Sequence, residues 1–273
     1  MRIVHVSDLH FGHHDEALAA GLAADLTSQA PDLVVASGDF TQRGTASEFE
    51  LARAFLETLP APVFAVPGNH DVPGQNMLRR LINPYSHYRK YISSELEPFL
   101  ETKGVALAGL RTTRRLRAEL NWSHGSIDRD QLVKLAGTFR SASPGAVKIV
   151  VAHHPLMRPE TATEKPTRAV RRAGEALEAF SDMGVRMVLS GHFHLSFVRR
   201  FEAGIKEGIP VGVREATAAP ILVAQASSTI STRLRGEANG YNVIDIDDGV
   251  ITVKVREWQN DAWTTREKAS AQA

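Results

Sequence analysis

The chain has 273 residues, 43% hydrophobic and 23% charged, with a formal net charge of +1 when histidine is neutral. That balance describes a globular chain with a large core, as one big domain or two small ones, and leaves no global field to steer nucleic acid or a membrane surface toward it. Cysteine is absent, which excludes disulfides and thiolate chemistry and leaves nitrogen and oxygen donors for any metal. The opening MRIVHVSDLH turns polar too early for a secretory signal, and no apolar run is long enough to span a bilayer. A cytoplasmic location is expected.

In chain order, RIVHVS (2–7) reads as a buried strand and 15–28 as a helix. DLVVAS (32–37) is the next strand, 47–59 an amphipathic helix, and VFAV (63–66) a third strand. From about 75 to 100 the pattern turns irregular and rich in Tyr and Arg, and a helical insertion is expected there. VALAGL (105–110) resumes the strands and 127–139 reads as a helix with Asp128 near its start. AVKIVVAHH (146–154) is a strand running into two histidines, 168–180 is a helix, and VRMVLSGHFH (185–194) repeats the strand-then-histidine pattern. The helical signal then stops, and ILVAQASS, GYNVIDI and GVITVKV read as consecutive strands with DDG as a hairpin turn. The order predicts an α/β protein completed by antiparallel strands, as a single domain over 1–260 with a frayed tail over 261–273.

Five strand ends carry polar clusters: SDLHFG (Asp8, His10), SGDF (Asp39), PGNHD (Asn69, His70), AHHP (His153, His154) and SGHFH (His192, His194). Taken singly, each has a bland reading. Asp8 can cap a helix, SGD can be a turn, GNHD can turn through a left-handed Asn69, and either histidine of AHHP can be a core group. Their shared placement after apolar strands argues against that, because neighbouring strands of an α/β sheet open their carboxyl ends into one crevice. Asp, His and Asn donors suit Mn, Fe or Zn better than calcium. The clusters supply seven candidate ligands, too many for one tetrahedral ion. They match two divalent ions sharing Asp39 as the bridge, an arrangement suited to in-line displacement at phosphorus.

As an ordered set, D-x-H, G-D, G-N-H-D, H-x-P and G-H-x-H resemble the signature blocks of the calcineurin-like metallophosphoesterase superfamily. SDLH, GDFTQRG, PGNHDVP and SGHFH look most like its branch of bacterial cyclic-nucleotide phosphodiesterases and glycerophosphodiesterases. The resemblance covers residues 8–194. It implies a four-layer αββα sandwich of two mixed β-sheets flanked by helices. It also implies that Asp8, His10, Asp39 and His194 hold one metal and Asp39, Asn69, His153 and His192 the other, with a bridging hydroxide as nucleophile. The resemblance favours His153 over His154 as ligand. Asn69 and His70 would border the substrate. As the catalytic pair, His70 would protonate the leaving alkoxide, and Asp71 is expected to orient its imidazole.

The function expected first is hydrolysis of a small phosphodiester, a cyclic nucleotide or a glycerophosphodiester. A phosphomonoesterase or a UDP-sugar-lipid pyrophosphatase is the alternative, although the insertion is more Tyr/Arg than apolar. A catalytically inactive binding module is the rival of a different class, and near-neutral charge disfavours a nucleic-acid enzyme. A homodimer is compatible with this reading. Arg111, Arg114, Arg115 and Arg117 form either a solvated basic surface or a phosphate contact. NWSHG (121–125) is a further candidate border of the pocket. Tyr85, Tyr88 and Tyr91 fall on one helix face, as core, subunit contact or lid. His13 and His14 are expected in solvent.

Overall fold

The computed structural model describes residues 1–74, 77–114, 124–160, 163, 167–204 and 219–271. Its first half alternates strands and helices: β1 (Arg2–Val6), α1 (Glu16–Gln29), β2 (Leu33–Ala36), α2 (Ala46–Leu56) and β3 (Val63–Ala65). Two short helices, α3 (Met77–Ile82) and α4 (Ser86–Tyr91), follow. Next come β4 (Phe99–Thr102), β5 (Val105–Leu110), α5 (Arg129–Arg140), β6 (Val147–Ala152), α6 (Ala173–Asp182) and β7 (Val185–Ser190). The chain closes with β8 (Phe197–Phe201), β9 (Ile221–Gln225), β10 (Gly240–Asp247), β11 (Val250–Gln259) and β12 (Ala262–Ala271).

Local chemistry sets several of these boundaries. The Asp15 carboxylate accepts from Leu18 N at 2.9 Å to cap α1, which then buries Leu18, Leu22 and Leu26 at four-residue spacing. Thr45 and Glu48 form a reciprocal capping box at the start of α2. Asp248 and Gly249 turn the β10–β11 hairpin through the left-handed region, at φ 43° and 75°.

The strands form two six-stranded sheets, in the orders β12-β11-β10-β1-β2-β3 and β4-β5-β6-β7-β9-β8. In the first sheet β1, β2 and β3 run parallel, and β10 joins β1 antiparallel with Ile3 opposite Ile244. In the second, β5, β6, β7 and β9 run parallel between antiparallel edges. Three cores define the layers. Ile3, Val35 and Phe64 of one sheet meet Leu107, Val151 and Leu189 of the other. Leu22, Phe49 and Tyr88 pack helices on the outer face of the first sheet, and Leu132, Phe139 and Phe180 do the same for the second. The result is the expected αββα sandwich.

Four local readings are decided by the structure. The segment expected to be a frayed tail forms β12, whose backbone pairs with β11 from Ala262 opposite Gln259 to Ala271 opposite Ile251. Its few apolar residues hide it from a pattern search, and cross-strand pairing holds it. Tyr85 and Tyr88 are buried, the former donating to Thr113 O at 2.8 Å, which bears out the core reading for those two, while half-buried Tyr91 donates to Glu50 Oε1 at 3.0 Å. Arg114 is half-buried and its guanidinium is engaged within the protein. It donates to Ser126 Oγ at 2.8 Å and Gln131 Oε1 at 2.6 Å and pairs with Asp128 at 2.8 Å, while Arg115 and Arg117 lie outside the described residues. His13 is exposed as expected, but His14 is half-buried with its ring 4.4 Å from that of Phe11.

Candidate metal centre

The parallel strands of both sheets end on one edge, and their loops converge there. Asp8 and His10 follow β1, Asp39 follows β2, Asn69 and His70 follow β3, His153 follows β6, and His192 and His194 follow β7. Contacts cross between the sheets. Asp8 Oδ1 lies 3.3 Å from His194 Nε2, and Asp39 Oδ2 lies 3.3 Å from His153 Nε2. His10 Nε2 sits between the carboxylates, 3.6 Å from Asp8 Oδ1, 3.8 Å from Asp39 Oδ2 and 3.3 Å from His194 Nε2. Asn69 Oδ1 is 3.0 Å from His153 Nε2. The His192 ring stands 5.2 Å from that of His153, with its main-chain N–H donating to Asp8 Oδ2 at 2.8 Å.

Holding these donors together strains the backbone. Asp8, His10, Asp39, His192 and His194 all adopt positive φ, between 51° and 75°, where a side chain is disfavoured. Gly191 permits the close approach of the last loop, since a Cβ there would overlap Ser7 Oγ and lie 2.5 Å from Asp8 Oδ2.

Backbone carbonyls orient three of the rings. His153 Nδ1 donates to Ser37 O at 2.9 Å, His194 Nδ1 to Arg233 O at 2.8 Å, and His70 Nδ1 to Gln42 O at 2.7 Å. A carbonyl can only accept, so each neutral ring carries its proton on Nδ1 and turns a bare Nε2 away from that contact. Burial alone would raise the Asp8 carboxyl, but the imidazoles of His194 and His10 outweigh it and hold it below the ordinary range. Asp39 is likewise held low by His153 and His70 against its burial. Burial opposes the charge on His153, yet Asp39 raises that ring to about 9. Burial lowers His192 to about 3 and His194 to about 4, keeping both neutral at pH 7. The His70 ring is lowered by burial, against the pull of Asp39 and with the charges of His10 and Arg233 adding to the effect.

These donors fit a metal. Asp8 Oδ1 is buried and accepts no hydrogen bond, although two imidazole nitrogens lie within 3.6 Å of it. A desolvated carboxylate oxygen facing the His194 Nε2 lone pair calls for a cation. Asp8, His10 and His194 offer ligand atoms within 4.8 Å of one another, as do Asp8, Asp39 and His153. His153, His154 and His192 form another such group, but His154 Nδ1 is 2.7 Å from Thr112 Oγ1 and its ring packs against Gly125, while residues 121–123 of NWSHG lie outside the described residues.

Asp71 departs from its expected role. Its carboxylate accepts from Gly68 N at 2.8 Å and from Thr41 N and Oγ1 at 3.1 Å, fastening the PGNHD loop to the GDFT loop, while Gln42 O takes the contact expected of Asp71 on the His70 ring. The loop after β9, carrying Ser228 and Arg233, was not among the sequence candidates. Ser228 Oγ lies 2.6 Å from His194 Nδ1, and Thr229 Oγ1 accepts from Ser7 N at 3.0 Å. A polar cluster after the last parallel strand of the second sheet, ASSTISTR, was the available signal.

The family model for calcineurin-like phosphoesterases matches residues 1–196. The chain belongs to that family. It is a metal-binding phosphoric ester hydrolase. It is 26% identical over 260 residues to a cAMP/cGMP dual specificity phosphodiesterase of Mycobacterium tuberculosis, covering 89% of this chain and 75% of the other. It is 26% identical over 209 residues to a probable cyclic nucleotide phosphodiesterase of Synechococcus sp., covering 73% and 75%. A glycerophosphodiester phosphodiesterase of Enterobacter lignolyticus is 37% identical over 82 residues, 26% of this chain and 30% of that protein. Among solved structures, a purple acid phosphatase from yellow lupin superposes with a TM-score of 0.67 at 13% identity, covering 99% of this chain. This chain spans 53% of the lupin phosphatase, and the likeness is one of fold.

Proposed function

We propose that this family member is a dinuclear phosphodiesterase acting on a small phosphodiester, a cyclic nucleotide or a glycerophosphodiester. The observation that carries the dinuclear reading is Asp39, whose Oδ2 lies between His153 Nε2 at 3.3 Å and His10 Nε2 at 3.8 Å, a position from which one carboxylate serves two sites. Asp8, His10, Asp39 and His194 would hold one ion, and Asp39, Asn69, His153 and His192 the other. Bound divalent ions would polarise the phosphoryl oxygens and supply activated water. The protein orients both ligand sets through Nδ1–H donation from His153 and His194 to main-chain carbonyls.

His70 N donates to Asp39 Oδ1 at 2.8 Å, and the His70 ring stands edge-on to that of His10 at 4.9 Å, beside the ligand cluster. From there it would exchange a proton with the leaving oxygen through Nε2, because Nδ1 is committed to Gln42 O. Asp71 would act on the chemistry only by holding its loop. The phosphodiesterase names of the bacterial relatives favour a diester over a monoester. Metal-loaded protein assayed on bis-p-nitrophenyl phosphate and on p-nitrophenyl phosphate tests the reading, with metal content measured alongside. Two metals per chain and faster diester turnover are expected. Faster monoester turnover, or a single metal at saturation, overturns it.

A further inference from the structure

The loop after β9 reaches the metal centre from a direction no sequence block announced, and it is firmly built. Asp15 N donates to Ile230 O at 2.9 Å, Thr232 N donates to His13 O at 2.8 Å, and Asn239 Nδ2 donates to Ser231 O at 2.9 Å. The next residue, Arg233, is tied to two sides of the centre. Its carbonyl accepts from the ligand-cluster residue His194, and its Nη1 donates to Gln42 Oε1 at 3.2 Å. Gln42 in turn holds the His70 ring through its carbonyl.

The guanidinium itself is under-compensated. Arg2, Arg114 and Arg256 each pair with a carboxylate, Asp245, Asp128 and Asp25 respectively. Among the described residues, half-buried Arg233 has one side-chain partner, the neutral amide of Gln42, and no carboxylate in ion-pair range. A planar fork with most of its N–H groups uncommitted, held beside a catalytic imidazole, matches the paired oxygens of an anionic ester.

We infer that Arg233 is a substrate-positioning residue, its guanidinium binding non-bridging oxygens of the phosphoester beside His70. The inference rests on the phosphoesterase reading above and deepens it. It assigns to the β9 loop the recognition of the anion, leaving the reaction itself to the metal centre.

The test compares Arg233→Ala, Arg233→Gln and Arg233→Lys in manganese-loaded protein. KM and kcat are measured on bis-p-nitrophenyl phosphate, inorganic phosphate binding by calorimetry, and metal content and melting temperature as controls. Charge-assisted hydrogen bonds of this kind predict roughly tenfold or greater weakening of both KM and phosphate affinity in the Ala and Gln variants. The Lys variant, which keeps the charge but not the fork, recovers only part of the affinity, kcat changes by less than about threefold, and metal content is unchanged. Phosphate affinity within about twofold of the parent in Arg233→Ala overturns the inference, whether or not the parent turns over an ester. A parallel fall in melting temperature and metal content in all three variants also overturns it, as the mark of a purely structural role. An inactive parent that still loses phosphate binding in Arg233→Ala sinks the phosphodiesterase reading and leaves the anion site standing.

Discussion

Replacing His70 with alanine separates proton transfer from metal holding. The ring reaches the centre at its Nε2 end and is anchored at the other by the 2.7 Å bond to Gln42 O. With Nδ1 protonated, a neutral ring can accept a proton at Nε2 but donates one there only as imidazolium. Burial lowers the pKa of this ring below its usual 6.5, so the donating form is a minority at pH 7 and grows as pH falls. The loss expected is the general acid–base contribution, about 10²–10⁴ in rate, for an alkyl diester whose leaving oxygen needs a proton. A p-nitrophenolate leaves without help, and its diester should lose about tenfold or less. Metal content should be unchanged, since the Asp39 contact is made by the His70 main-chain N–H and survives in alanine. Stability should fall by only about 1 kcal/mol for the one hydrogen bond removed. In the parent, the alkyl-ester rate should fall as pH rises through the imidazolium pKa, and the variant should lack that limb. The assay is kcat against pH for glycerophosphoethanolamine and for bis-p-nitrophenyl phosphate. Equal losses on the two esters, or an unchanged pH profile in the variant, refute proton donation by His70.

Asp39→Ala should reduce bound metal from two ions to fewer than one per chain and abolish turnover, read by elemental analysis and the diester assay, because both ligand sets share that carboxylate. Asp71→Ala leaves two buried main-chain donors, Gly68 N and Thr41 N, without their acceptor. At about 1–3 kcal/mol for each unsatisfied group the variant should unfold at clearly lower denaturant, measured by urea titration. Gly68→Ala puts a Cβ into Asp39 Oδ1 and main-chain N and 2.8 Å from Asp39 Cγ, so metal affinity should fall at least tenfold in a metal titration although no ligand is changed.

The strands and ligand loops were legible because their signals are local. A run such as IVVAHH carries both its burial and its chemistry within a few residues, and β6 followed by His153 lies where that pattern puts it. The parts that were not legible depend on partners distant in sequence. Whether Asp71 orients His70 or latches Thr41 cannot be read from two adjacent letters, because the competing acceptor Gln42 O arrives from another loop. Arg114 reads as one member of a basic run until Asp128 and Gln131, on a different element, claim it. The strand β12 has too little apolar alternation to announce itself and exists through its ladder to β11. His5 passed as one more strand residue. It lies fully buried between Ser37 Oγ at 2.9 Å and Asn242 Nδ2 at 3.2 Å, and burial lowers it to about 3.

The strained turns and the unsatisfied carboxylate point to one physical logic. Each left-handed non-glycine residue costs about 1–2 kcal/mol, and five of them cluster at the ligand loops. Asp8 Oδ1 adds a desolvated acceptor without a hydrogen bond. The parallel strands behind those loops bury their last four residues and are paired within each sheet. The sandwich therefore carries the strain, and a cation at the cluster would relieve the electrostatic part of it.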